Sequence, residues 1–129
     1  YAGSFTNNNQ ALVKKRNKVR LVQGQTFIDT STGLMWQRGE TEPMTHNRAK
    51  KYCNQLSLGG YSDWRLPNIG QLKSILNKKN QFPDINSGAY WSSSSHRYRG
   101  PKSLSFGSGT ETISNADYQL FVRCVRSGQ

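Results

Sequence analysis

The sequence predicts an α+β domain, with two helices and a mostly antiparallel sheet joined by long loops. Two segments carry helical apolar spacing, and short strand-like runs then continue to the end of the chain. Twelve Gly, with many Ser and Asn, favour a loop-rich fold over a helical bundle. At 129 residues the chain fits one domain, and a domain of this size buries roughly two-thirds of the surface its unfolded chain exposes. Hydrophobic residues make up only 33%, yet 3 Trp, 6 Tyr and 5 Phe with scattered Leu, Ile and Val suffice for a compact core.

In chain order, residues 1–12 are polar and Asn-rich without period, and read as a tail or linker to a single domain over 13–129. Charged and apolar residues alternate from Lys18 to Val22, as in a strand with one basic face. Thr26 to Asp29 reads as a second short strand. Asp29-Thr30-Ser31-Thr32-Gly33 is a turn, and Leu34-Met35-Trp36 a strand beyond it. The first helix is expected from His46 to Leu56. Thr45 is its N-cap, and Ala49, Tyr52, Cys53 and Leu56 recur at i, i+3, i+4 and i+7. Cys53 then faces the core, while Arg48, Lys50 and Lys51 face water.

The segment Gly59-Gly60-Tyr61-Ser62-Asp63-Trp64-Arg65-Leu66-Pro67-Asn68 follows. Its glycines end the first helix, and Trp64 reads as a core anchor beside Trp36 and Trp91. Asp63 and Arg65, two apart on one side of an extended segment, are expected to hydrogen-bond to neighbouring loops. Asn68 caps a second helix, with Gln71 at capping-box spacing and Leu72, Ile75 and Leu76 as its apolar face. Beyond Phe82-Pro83, a strand is expected over Ala89–Ser95, an exposed loop over His96–Ser103 and a strand over Leu104–Phe106. A long polar loop over Gly107–Asp117 and a last strand over Tyr118–Val125, carrying Cys124, complete the chain.

Eighteen Lys and Arg face seven acids, for a formal charge of +11. That field attracts polyanions such as nucleic acid, anionic membrane or sulfated polysaccharide. Lys14, Lys15, Arg16, Lys18 and Arg20 fall within eight residues with no acid nearby, a pattern of heparin-type or nucleic-acid patches. Arg97, Arg99 and Lys102, with Tyr98 among them, make a second candidate patch. Arg48, Lys50 and Lys51 make a third, and Arg123 or Arg126 can extend any of them. Sulfates and phosphates alike are met by Arg forks and Lys point charges.

Two cysteines, Cys53 and Cys124, do not by themselves make a zinc site, and His46 and His96 have unrelated spacing. Count alone leaves a disulfide and two buried thiols equally open. Their places on a helix and on the last strand favour a bridge, which would pin that helix to the sheet. No apolar run approaches the ~18 residues of a membrane span, and no signal peptide opens the chain. A start at Tyr1 rather than Met suggests a mature or trimmed form.

Five motifs stand in one order: Phe27-Ile28-Asp29 with Thr32-Gly33-Leu34-Met35-Trp36-Gln37; Ala49, Tyr52-Cys53 and Leu56; Leu58 to Pro67; Tyr90-Trp91-Ser92-Ser93; and Val122-Arg123-Cys124-Val125-Arg126. In these the chain resembles the Lcl C-terminal domain family, the adhesive tips of Legionella collagen-like adhesins and the bacterial surface domains grouped with them. The resemblance covers roughly residues 27 to 126. It implies an exported domain with a C-type-lectin-like fold and a helix-to-last-strand disulfide, Cys53 to Cys124. It also implies a trimer binding sulfated glycosaminoglycans, and three weakly attracted copies gain avidity on a repeating chain. The basic segment at residues 13 to 20 lies outside the shared motifs.

Other functions have weaker support. No nucleophile motif or paired carboxylate marks an enzyme, and a structural bridge leaves no thiol for the chemistry of the formylglycine-generating enzymes, which share a related fold. A calcium-dependent lectin uses an acid-Pro-Asn triplet, whereas Glu42-Pro43 is followed here by Met44, and Trp-Asn-Asp does not occur. Glu111, Asn115 and Asp117 share the long loop, but hard cations want six to eight oxygens. Calcium-dependent carbohydrate binding and a protein-binding tip module stay as alternatives. No helix-turn-helix, zinc finger or RNA-stacking strand supports a specific nucleic-acid reader. The expectation is a non-catalytic, cofactor-free bacterial surface domain that binds sulfated glycosaminoglycans.

Overall fold

A computed structural model of the protein describes residues 25–39, 41–82, 85 and 87–127. The expected tail, the 18–22 strand and the start of the domain at residue 13 lie outside the described residues. Among the described residues six strands and two α-helices follow in the order β1 (Thr26–Asp29), β2 (Leu34–Gln37), α1 (His46–Gln55), α2 (Ile69–Lys73), β3 (Ala89–His96), β4 (Gly100–Ser105), β5 (Glu111–Ile113) and β6 (Val125–Ser127). They form two three-stranded antiparallel sheets, ordered β1-β2-β6 and β3-β4-β5. The α+β class stands.

Strand alternation explains how the chain fills two cores. Successive side chains on a strand point to opposite faces. Met35 and Trp36, Tyr90 and Trp91, and Cys124 and Val125 each split in this way between two hydrophobic clusters. One cluster holds Trp36, Tyr90 and Val125 under Ile69 and Leu72 of α2. The other holds Met35, Trp91 and Cys124 under Ala49 and Cys53 of α1. All three Trp are buried, as expected. The Trp91 indole donates to the Met44 carbonyl at 2.7 Å, and the Trp64 indole is shared between the carbonyls of Leu58 and Tyr61.

Both helix starts match their sequence signals. The Thr45 side chain accepts from the Arg48 amide, and Asn68 and Gln71 exchange both bonds of a capping box. The stops differ. α1 closes at Leu56 through its bond to the Cys53 carbonyl, so Gly59 and Gly60 do not end it. Those glycines, at φ 63° and 86°, instead turn a small loop in which Leu58 and Tyr61 exchange backbone bonds. α2 lasts five residues before a 3-10 segment, Leu76–Gln81, that places Phe82 in the core.

Four expectations are corrected in the second half. The supposed loop over 96–103 is a hairpin: β3 runs to His96, residues 97–99 turn, and β4 begins at Gly100. Gly100 adopts φ 115°, which only glycine takes readily, and Pro101 sits opposite Ser95 beside a register shift. β4 therefore ends at Ser105, and Phe106 lies beyond it. The polar loop after it contains β5, whose exposed residues hide the strand. The last strand is Val125–Ser127, because Leu120 and Phe121 bridge to different partners, Met44 and Tyr90, and make no continuous ladder.

Candidate functional site: a cationic groove

Trp64 and Leu66 point into the core, so the residue between them points out. The Arg65 backbone is clamped to β6 by two 2.8 Å bonds with Val125, and its side chain is exposed. Facing it, Lys50 and Asn54 stand one turn apart on α1. Between them lies an open groove of about 230 Å³, lined also by Leu66, Asn68, Gln71 and Ser93. Asn68 and Gln71 are fixed there by the capping box, and Ser93 by its amide bond to the Pro67 carbonyl at 2.7 Å. No acid lines the groove, and neither Lys50 nor Arg65 makes an ion pair among the described residues. The arrangement offers two cations and several amide donors to an anion. Arg65, read from sequence as structural, is the partner that sequence reasoning missed.

His46, at the first turn of α1, does not line the groove. Its Nε2 donates to the Ser92 carbonyl at 2.9 Å, and its ring makes a T-shaped contact with Trp91, the centroids 4.9 Å apart. Burial pushes its pKa down. The Ser92 bond opposes this, and the Lys50 charge adds to it.

The other expected site residues are dispersed. Lys14, Lys15, Arg16, Lys18 and Arg20 lie outside the described residues. Lys51 and Arg48 are exposed on α1 beside Lys50. Arg97 and Arg99 occupy the β3–β4 turn, but Lys102 is on β4 and pairs with Glu111 at 3.3 Å. Glu111 also holds Lys73 at 2.8 Å, and these two lysine bonds keep its carboxyl below its ordinary pKa. Glu111 thus belongs to β5 and not to a loop with Asn115 and Asp117, and Asn115 spends its side-chain oxygen on the Asp117 amide. Among the described residues no group of three or more His, Cys, Asp or Glu stands together.

Arg123 and Arg126 do not extend a patch. Arg123 is fully buried over the Phe82 ring, donating to the carbonyls of Gln37, Arg38 and Gly39. Arg126 is buried too, forked onto Asp63 at 2.5 and 3.1 Å and stacked 3.7 Å over the Tyr61 ring. The Arg126 bond lowers the Asp63 pKa against a smaller opposing desolvation. Asp63 therefore braces a strand rather than a neighbouring loop, a pairing 63 positions apart that no local pattern announces.

The expected disulfide joins Cys53 of α1 to Cys124, immediately before β6, with Cα atoms 5.5 Å apart. Gln37 runs parallel to it: its amide nitrogen donates to the Tyr52 hydroxyl of α1 at 2.8 Å, and its oxygen accepts from the Cys124 amide at 3.1 Å. No helix among the described residues is long and apolar enough to cross a membrane. No curated protein matches the chain. The family model described as the Lcl C-terminal domain matches residues 25–126. That match spans most of the sequence and all five motifs, and the chain belongs to the Lcl C-terminal domain family, a family related to the adhesins of bacterial surfaces.

Proposed function

We propose that this is a non-catalytic surface-adhesin domain that binds sulfated glycosaminoglycans. The observation that carries the reading is the groove lined by both Lys50 and Arg65 and by no acid. A sulfate or uronate group bound there gains charge-assisted bonds without first breaking an internal ion pair. Lys51 and Arg48 alongside, Arg97 and Arg99 at the hairpin, and the 14–20 segment supply further cations for a long chain. Extended, multiply charged ligands suit dispersed patches, because each weak contact adds to the same bound chain. The C-type-lectin-like description and a homotrimer belong to the same proposal. The helix-to-strand disulfide supports the first, and the family supports the second.

The test compares heparin, duplex DNA and a neutral polysaccharide as ligands at rising salt. Retention on heparin that persists at physiological salt and exceeds retention on DNA of matched charge is expected. The pair Lys50→Ala/Arg65→Ala should weaken heparin binding with little change in melting temperature, since both side chains are exposed. Equal retention of all polyanions, or its loss at physiological salt, sinks the proposal.

A further inference from the structure

The β3–β4 hairpin presents an aromatic ring where a turn ordinarily carries small polar residues. Tyr98 is 83% exposed, well above the 58% of Tyr118, the next most exposed large apolar side chain among those described. Tyr61 is less open, at 40% exposed, with Arg126 stacked on one face of its ring. The Tyr98 position is also fixed. Its amide donates to His96 Nδ1 at 3.2 Å, His96 pairs with Gly100 across the ladder, and Gly100 supplies the positive φ that closes the turn. The Arg97 guanidinium lies 5.8 Å from the ring centroid and the His96 ring 6.4 Å away, tilted at 60°. At this exposure the ring keeps a broad area open to solvent.

We propose that Arg97, Tyr98 and Arg99 form a sugar-stacking subsite: the Tyr98 ring packs against the apolar C–H face of a pyranose, and the two arginines take its sulfate or carboxylate groups. The inference rests on the glycosaminoglycan reading and adds to it a contact that charge alone does not provide. Ring polarity favours the assignment, because the electron-rich face of tyrosine attracts polarised C–H groups as it attracts cations. A single ring between two arginines also differs from single-stranded nucleic-acid platforms, which stack successive bases on several aromatics. The disulfide places the domain in an oxidising setting, where saccharides are the common polyanions. Ser93, in the groove wall, precedes His96 by three residues of β3, a rise of ~10 Å.

The experiment measures affinities of the whole chain for a heparin hexasaccharide and for oligothymidylate of matched charge. Tyr98→Ala is expected to weaken the hexasaccharide about threefold to tenfold, the range of an exposed aromatic contact, and to leave oligothymidylate within twofold. Tyr98→Phe, which keeps the ring, should bind like the wild type. A Tyr98→Ala affinity equal to wild type overturns the subsite, as does an equal loss for both ligands. A Tyr98→Phe loss as large as that of Tyr98→Ala also overturns it, by moving the contact to the hydroxyl. A wild-type chain that fails to bind the hexasaccharide at all defeats the glycosaminoglycan reading itself, and the subsite with it.

Discussion

Asp29 shows how one residue can tie local and distant structure together. It ends β1, is only 3% exposed, and accepts from the Ser31 amide at 3.0 Å and hydroxyl at 2.6 Å within its own turn. Lys78, 49 positions on, donates to both of its oxygens at 2.7 Å. Burial raises the carboxyl pKa, but the Lys78 and Ser31 bonds together outweigh it and hold the group at about 2. Because the folded pKa is depressed, the stabilisation is complete above the unfolded value near 4 and is lost as pH falls through about 2. The shift corresponds to about 2 kcal/mol at neutral pH. Lys78→Met should therefore destabilise the domain by roughly 2 kcal/mol in urea unfolding at pH 7, by leaving a buried carboxylate short of its counter-ion. The gap from wild type should narrow between pH 4 and pH 2; a constant gap would mean that Lys78 contributes only through packing. Local sequence named the turn at Asp29, whereas no local pattern pointed to its lysine, 49 positions on.

At the scale of elements, the two helix starts were readable because capping depends on residues three positions apart. Asn68→Ala should cost about 1 kcal/mol, and Gln71→Ala somewhat less, since only the second keeps the bond to the helix amide. A loss in either variant too small to measure by chemical denaturation would show that packing of Ile69 and Leu72 alone holds α2. The strands were less readable where ladders break or carry no apolar alternation. β5 is a three-residue edge with a single apolar residue, Ile113, and the Gly100-Pro101 pair reads as a loop until Gly100 is seen closing a hairpin. The disulfide links α1 to the approach of β6, and Gln37 bridges the same two parts by hydrogen bonds. Reduction of Cys53–Cys124, which closes a separation of 71 residues, should lower the melting temperature, with a loop-entropy contribution on the order of 4 kcal/mol. Gln37→Ala should deepen the loss in the reduced protein more than in the oxidised one, because the two ties share a load. Equal losses would mean that they act independently.

For the whole molecule, the formal charge of +11 was plain in the sequence, but its arrangement was not. Folding withdraws Arg123 and Arg126 into the interior, commits Lys73, Lys78 and Lys102 to carboxylates, and leaves Lys50 and Arg65 facing across a groove. The number of usable cations is therefore smaller than the composition suggests, and salt dependence can count them. Each contact to a linear polyanion releases condensed counterions, so log affinity falls with log salt at a slope of roughly 0.7 to 0.9 per contact, by analogy with nucleic acids. Lys50→Ala/Arg65→Ala should then flatten the heparin slope by about 1.5. Replacing Lys14, Lys15, Arg16 and Lys18 by Ala should flatten it by up to about 3 with melting temperature nearly unchanged. If one heparin chain spans both regions, the combined variant shows the sum of the two changes at unaltered stoichiometry. If the regions bind separate chains, each variant instead lowers the number of chains bound and leaves the remaining slope intact. Titration calorimetry at three or more salt concentrations separates these cases, and a groove variant that changes neither slope nor stoichiometry removes Lys50 and Arg65 from the binding surface.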